Sequence, residues 1–428
     1  MIKQARQYKS DVAVVGAGIA GCAATVFAQA RGFKTIQIGN SGALAYTSGY
    51  FDLLGAAEGG YLKDPWQGLA RLRVAEPDHP YAKLSDDDIR NAFDEFIEAL
   101  RKMGLNYSCA SDGNQMAMLP AGACKPTFYV PDSMQKGAQA MSSRARVLVI
   151  DFVGLQGFSA KEIVANLSTQ WPQLRAEHVA FPEMETGAQI FPEVMARALE
   201  VADTRVAFAA RLKPIIKDAE YIAMPAILGI HRSDAIHSEM EKLVGLPIFE
   251  IPTIPPAVAG IRLRELFDQQ LPAIGATVIS QHKVEHVTFD KDALRLSLKD
   301  SYGPVEIAAK NMILASGRFL SGGLKAGQQR IKESLMGLPV HQPQARENWF
   351  SEAYFDPAGH AVNQAGIIVN DSFQPLSIDG EIIDKRLYAA GIVLAKQDWI
   401  RQRCGAGLAI ASAYKAVNSI AKEALIKS

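Results

Sequence analysis

Residues 11–21 read DVAVVGAGIAG: an apolar strand, Val12 to Val15, runs directly into Gly16-x-Gly18-x-x-Gly21. Each glycine in such a turn has its own steric task. The first permits a tight turn, the second lets a pyrophosphate approach the main chain, and the third lets the following helix pack against the strand. The helix is expected from about Ile19 to Arg31, Gly32 stands where a C-cap belongs, and Thr35 to Ile38 reads as a second strand. Together these make a βαβ unit of about thirty residues whose helix N-terminus offers free N–H groups to a phosphate. The stretch is therefore read as a nucleotide phosphate cradle.

Two other readings of the same stretch fail on physical grounds. Lys3, Arg6 and Lys9 followed by an apolar run and Cys22-Ala23-Ala24 imitate a secretory leader. Asp11 interrupts that pattern, and glycines break the apolar run at motif spacing. The uncharged run from Val12 to Ala30 is about long enough to cross a bilayer, but Gly16, Gly18, Gly21, Thr25 and Gln29 suit a turn and an amphipathic helix better. No other segment is a candidate, so a soluble chain is expected.

The 428 residues allow two or three domains. Lys plus Arg and Asp plus Glu both total 45, so no global field favours nucleic acid or an acidic membrane. Cys22, Cys109, Cys124 and Cys404 are widely separated, which argues against a disulfide framework, a zinc site or an iron–sulfur cluster.

Further along, residues 40–60 are rich in Gly, Ser and Ala and read as a loop lying close to a ligand. Ser85 and Asp88 form a capping box for a helix to Met103 with Ile89, Phe93, Phe96, Ile97, Leu100 and Met103 on one face. Residues 146–152 read as a buried strand, 154–157 as a turn with the character of a second nucleotide loop, and Ser159 with Glu162 as the next capping box. Residues 221–228 and 247–251 are further strands. Pro255-Pro256 opens a helix carrying Ile261, Leu266, Phe267 and Leu271 inward, and residues 283–298 alternate as a β-hairpin or meander. The strand NMILASG at 311–317, the short strand LYAAG at 387–391, and Gly405-x-Gly407 opening a final helix complete the chain.

This order of parts resembles the glutathione-reductase-like flavoprotein fold. The expected fold class is accordingly α/β: a Rossmann-like flavin-binding domain of glutathione-reductase type with a large inserted α/β domain. Residues 1–60, 255–330 and 380–428 would form the flavin-binding domain, 61–254 a substrate, cap or partner-contact domain, and 331–379 a connecting segment. The resemblance implies a flavin held by Gly16, Gly18, Gly21, Asn40, Ser48, Gly49, Gly317, Gly391, Gly405 and Gly407. The last helix would direct its N-terminus at the flavin ring, where it stabilises charge on N1 and O2.

Ser48-Gly49-Tyr50-Phe51-Asp52-Leu53-Leu54, His79-Pro80-Tyr81, the proline-rich run Ile251 to Leu263, Leu314-Ala315-Ser316-Gly317 with Ser321-Gly322-Gly323-Leu324, and Cys404-Gly405-Ala406-Gly407 are similar to the B subunits of anaerobic glycerol-3-phosphate dehydrogenases. This resemblance runs from about residue 11 to the C-terminus. It implies a cytoplasmic flavin-bearing subunit that works with a catalytic A subunit and an iron–sulfur C subunit, held peripherally at the inner membrane face through those partners. Together they would oxidise sn-glycerol 3-phosphate to dihydroxyacetone phosphate and pass electrons to quinone. Two alternatives stay open: a flavin subunit that only relays electrons or scaffolds its partner, and a flavin-free binding module.

One departure bears on the cofactor. FAD motifs of this type end the second strand with an acidic residue for the adenosine ribose, whereas Gly39 and Asn40 stand here. The resemblance implies FMN, with which a missing ribose carboxylate is compatible; equally, Asn40 is a candidate ribose partner that would keep FAD, so both flavins remain open. For chemistry on glycerol 3-phosphate, His79 is the candidate base and Arg262 the candidate phosphate ligand, because imidazole titrates near neutrality and guanidinium matches phosphate bidentately. Arg264 shares the helix of Arg262, and Arg318 and Arg403 flank the expected flavin site.

Overall fold

A computed structural model describes residues 5–184, 189–356 and 358–427. It divides into two compact units: residues 1–43, 52–99 and 267–428, and residues 44–51 and 100–266.

The first unit is built on a seven-stranded sheet. In spatial order its strands are Thr277–Ser280, Thr35–Gly39, Arg6–Val15, Gly303–Leu314, Leu294–Asp300 and His286–Phe289, with Leu387–Ala389 also paired to Gly303–Leu314. The twelve-residue strand Gly303–Leu314 explains how one sheet carries two textures. Its first part lies antiparallel to Leu294–Asp300, and its last three residues pair in parallel with Leu387–Ala389, while Arg6–Val15 runs parallel along its other side. The sequence follows: buried Val12 to Val15 and Met312 to Leu314 are continuous apolar runs, whereas Leu294, Leu296 and Leu298 alternate with polar residues. The expected hairpin is thus one arm of a three-stranded meander that feeds the parallel sheet.

Helices Ile19–Ala30 and Gly405–Lys427 pack together. Phe27 meets Tyr414 edge to face at 5.3 Å, and Arg31 Nε donates to Asn418 Oδ1 at 2.7 Å. The capping box at Ser85 is formed, with Asp88 N–H donating to Ser85 Oγ and Ser85 N–H to Asp88 Oδ2.

The second unit has its own four-stranded parallel sheet in the order Leu174–Val179, Val147–Phe152, Tyr221–Pro225, Ile248–Ile251. It is a small α/β unit around Leu148, Ile150, Phe152, Phe181, Phe208, Ile222 and Met224. The helix after Pro255-Pro256 runs Val258–Ala273. Ile261, Phe267 and Leu271 are buried as expected, Leu266 is only half-buried, and Arg262 is buried although it is charged.

These bounds differ from those expected. Residues 61–99 belong with the nucleotide sheet rather than with an insert, because the helix Asp86–Met103 sets Phe96 against Phe27 and Phe267. Residues 331–379 also belong to the first unit, and residues 44–51 and 255–266 to the second.

Candidate functional site

The glycine turn is shaped by what surrounds it. Gly16 has φ +132° and its N–H donates to Ile38 O at 2.8 Å. A Cβ there would lie 2.1 Å from Ala315 O, and a Cβ at Gly21 would lie 2.0 Å from Gly16 O. Both positions exclude any side chain because main chain occupies the space. Gly18 is different: it caps the helix Ile19–Ala30, and a Cβ there would meet no described atom within 4 Å. The turn is thus closed on the protein side and open at the helix end, which is the shape a pyrophosphate needs.

The end of the chain closes in on this turn. Ala315 N–H donates to Val15 O at 2.8 Å and Ala390 N–H to Leu314 O at 3.0 Å, so three strand ends lie side by side. Gly391 takes φ +83°, its N–H donates to Ser412 Oγ at 2.8 Å, and a Cβ there would lie 2.7 Å from Ala20 Cβ. Gly16, Gly21 and Gly391 are therefore gathered around the first turn of the helix Ile19–Ala30, and Gly317, in the same unit, packs against Ser321. The residues present fit a phosphate-bearing cofactor.

Other predicted site residues have different work. Gly407 N–H donates to Asp52 O at 2.8 Å, and a Cβ on Gly407 would lie 2.5 Å from Tyr81 Oη. A Cβ on Gly405 would touch the Trp399 ring at 3.0 Å. These two glycines admit close packing at the start of the last helix, and one of its first N–H groups is already bound within the chain. Ser48 and Gly49 lie in the second unit, where Gly49, at φ +80°, packs on Ala259 and Pro131.

The second strand ends at Gly39 because the turn leans on it: a Cβ there would lie 2.7 Å from Ala17 N. An acid at this position would have to displace the glycine turn itself. Asn40 follows and is exposed.

His79 is completely buried. Its Nδ1 accepts the Tyr81 N–H at 3.0 Å, which puts the ring proton on Nε2, 3.1 Å from Gln402 Oε1. Burial pulls the ring pKa down to about 4, with Gln402 pulling weakly the other way. With both nitrogens engaged, the ring caps a 3-10 turn at Pro80–Lys83 and has no lone pair left for a substrate proton. The base role expected of His79 gives way to a structural one.

Arg262 is corrected in the same way. It lies in the second unit with 3% of its surface exposed, and its guanidinium grips Glu250 bidentately, Nη1 to Oε2 at 2.6 Å and Nη2 to Oε1 at 2.9 Å. Its Nε donates to Gly229 O at 2.8 Å. Glu250 also accepts the N–H groups of Ile227 and Leu228 and the Ser133 hydroxyl. Burial opposes ionisation of Glu250, but Arg262 and these donors outweigh it and hold the carboxyl below its ordinary range. Arg262 thus has no fork left for a phosphate. The signal for its partner was Glu250 itself, a lone acid in the apolar strand IFEI.

The turn at 154–157, which has two glycines of a nucleotide loop and lacks the third, is also closed by the chain. Asp151 Oδ2 accepts the Ala160 N–H at 2.9 Å and Ser159 Oγ that of Glu162, so an internal carboxylate sits where a phosphate would. Arg403 is half-buried and lies over Tyr61, 5.4 Å from the ring centre. Arg318 is buried and donates to the carbonyls of Asn363 and Val362. All four cysteines are free, and among the described residues no group of three His, Cys, Asp or Glu could hold a metal. No described helix is long and apolar enough to cross a membrane.

The B subunit of anaerobic glycerol-3-phosphate dehydrogenase from Yersinia pestis bv. Antiqua (strain Antiqua) is 28% identical over 427 residues, covering 97% of this chain and 99% of that protein. The protein of the same name from Pectobacterium atrosepticum is 28% identical over 421 residues, covering 96% and 99%. Among solved structures, 3-ketosteroid delta1-dehydrogenase from Sterolibacterium denitrificans overlaps 97% of this chain and 100% of its own at 10% identity and a TM-score of 0.45, too loose a match to carry an argument. The FAD binding domain family matches residues 11–408, and the chain belongs to that family.

Proposed function

We propose that this chain is the flavin-bearing B-type subunit of an anaerobic glycerol-3-phosphate dehydrogenase. In this reading it works with a catalytic A subunit and an iron–sulfur C subunit, oxidises sn-glycerol 3-phosphate to dihydroxyacetone phosphate, and sends the electrons to quinone. The observation that carries the reading is the open helix end at Gly18, walled by Gly16, Gly21 and Gly391. The near full-length similarity to subunits of that name supports the substrate and the partners.

A flavin bound there would supply the two-electron acceptor. The chain's own part is to seat the phosphate on the N–H groups of the first helical turn and to keep side chains out of the turn through Gly16 and Gly21. Ser412, by fixing Gly391, holds the third strand end in place. FMN and FAD both suit this arrangement, and Gly39 removes the carboxylate that usually takes the adenosine ribose.

A second reading, in which the subunit relays electrons or scaffolds its partner without oxidising substrate, is favoured by one fact: His79 and Arg262 are both consumed by internal bonds. Purified chain should show flavin absorption bands. Bleaching of those bands by glycerol 3-phosphate alone supports the first reading, and bleaching only when the A subunit is added supports the second. A chain that purifies without bands, and gains none with FMN or FAD, refutes both.

A further inference from the structure

Three arginines among the described residues are more than nine-tenths buried, and they differ in one respect. Arg262, 3% exposed, grips Glu250, and Arg205, 5% exposed, pairs with Glu239 at 2.9 Å. Arg318, 6% exposed, has no carboxylate within ion-pair distance among the described residues. Its Nη1 donates to Asn363 O and its Nη2 to Val362 O at 3.0 Å, while Nε has no partner. The Phe319 ring, 5.5 Å away, offers only a weak cation–π contact at the surface. Burying a guanidinium without a paired carboxylate is costly, and burial holds its pKa down at about 10 against the opposing field of Asp398. A ligand anion would supply the missing counter-charge.

Position names that anion. Arg318 directly follows Gly317, at φ +68°, and stands three residues beyond Ala315, whose carbonyl leans on Gly16. On the same turn Ser316 Oγ is also buried without a partner. An unsatisfied guanidinium N–H and an unsatisfied hydroxyl thus lie on the turn that abuts the phosphate cradle. We propose that Arg318, with Ser316 as a second donor, is the counter-charge for a phosphate group on a bound ligand. The proposal rests on the flavin-dehydrogenase reading for its two sources of that phosphate, the flavin itself or glycerol 3-phosphate, since guanidinium and hydroxyl suit either.

The test uses the full-length chain, stripped of flavin, as wild type, Arg318→Gln, Arg318→Lys and Ser316→Ala. Affinities for FMN, FAD and riboflavin are read by fluorescence quenching, and thermal shifts are read with inorganic phosphate, glycerol 3-phosphate and glycerol. If the flavin phosphate is the ligand, Arg318→Gln lowers FMN or FAD affinity about 10- to 100-fold and leaves riboflavin unchanged, and Arg318→Lys keeps part of the difference. If the substrate phosphate is the ligand, the flavin affinities hold, while the shift with phosphate and glycerol 3-phosphate disappears and that with glycerol does not change. The proposal is overturned if Arg318→Gln and Ser316→Ala alter no phosphate-dependent quantity. Should Arg318→Gln fail to fold, Arg318→Lys and Ser316→Ala decide the question by the same readouts. Wild type that binds no flavin yet loses its phosphate shift on substitution would refute the flavin reading and leave this one standing.

Discussion

Replacing Glu250 by Ala tests whether Arg262 is part of the scaffold or part of a site. The substitution strips a buried guanidinium of its paired carboxylate and leaves the N–H groups of Ile227 and Leu228 and the Ser133 hydroxyl without their acceptor. Breaking one side of a buried pair costs about 3–5 kcal/mol, because the surviving charge stays desolvated. For a unit of this size each kcal/mol lowers Tm by about 2–4 °C, so a fall of roughly 6–20 °C is expected in the transition of the second unit. Differential scanning calorimetry of E250A, R262M and E250L/R262M gives the answer. The double variant should recover much of the loss, since it removes the charge along with its partner. The pair also fixes a sign with pH: Glu250 is held below its ordinary range, so its contribution is present above the unfolded carboxylate pKa and is lost as pH falls through the folded one. If E250A and R262M melt within about 1 °C of wild type, a shift below about 0.5 kcal/mol, while R262M weakens glycerol 3-phosphate binding, the structural assignment is refuted and the phosphate role returns.

Four further outcomes are expected. Gly18→Ala should fold normally but lower flavin affinity at least about tenfold, since its methyl enters the open cradle; Gly21→Ala should instead cost about 1–3 kcal/mol in denaturant melts, its methyl striking Gly16 O. Gly39→Glu should lower the bound-flavin ratio rather than restore FAD selectivity, because the new Cβ displaces Ala17 N. His79, with its pKa lowered from 6.5 to about 4, stays neutral in the fold while the unfolded chain takes up a proton; stability should fall as pH drops from 6.5 toward 4, by on the order of 3 kcal/mol, and H79Q should flatten that slope in urea titrations. Ser412→Ala leaves the buried Gly391 N–H unpaired and should cost about 1–3 kcal/mol by chemical denaturation, with weaker flavin retention.

The glycine turn, the meander, the late strand ends and the last helix are all legible from the chain because each is written in local terms: apolar periodicity, caps, and glycines at fixed spacing. Domain bounds were less legible. The helix Asp86–Met103 shows one clear apolar face, yet which core receives that face depends on Phe27 and Phe267, far away in the chain. The same limit applied to Gly405 and Gly407. Their spacing suggests a ligand-facing helix start, but packing against Trp399, Tyr81 and the Asp52 carbonyl requires glycine just as strictly.

What the sequence determined by itself was the glycine turn, since the missing side chains of Gly16 and Gly21 are a property of the residues themselves. What only tertiary structure decided was which polar side chains are free to meet a ligand. His79 is satisfied by Gln402, 323 residues away, Arg262 by an acid hidden in an apolar strand, and Arg318 by two main-chain carbonyls with no carboxylate in ion-pair distance among the described residues. Hydrogen-bond partners are set by packing rather than by spacing, so the two residues with the most suggestive chemistry became scaffold and a less conspicuous arginine became the open charge.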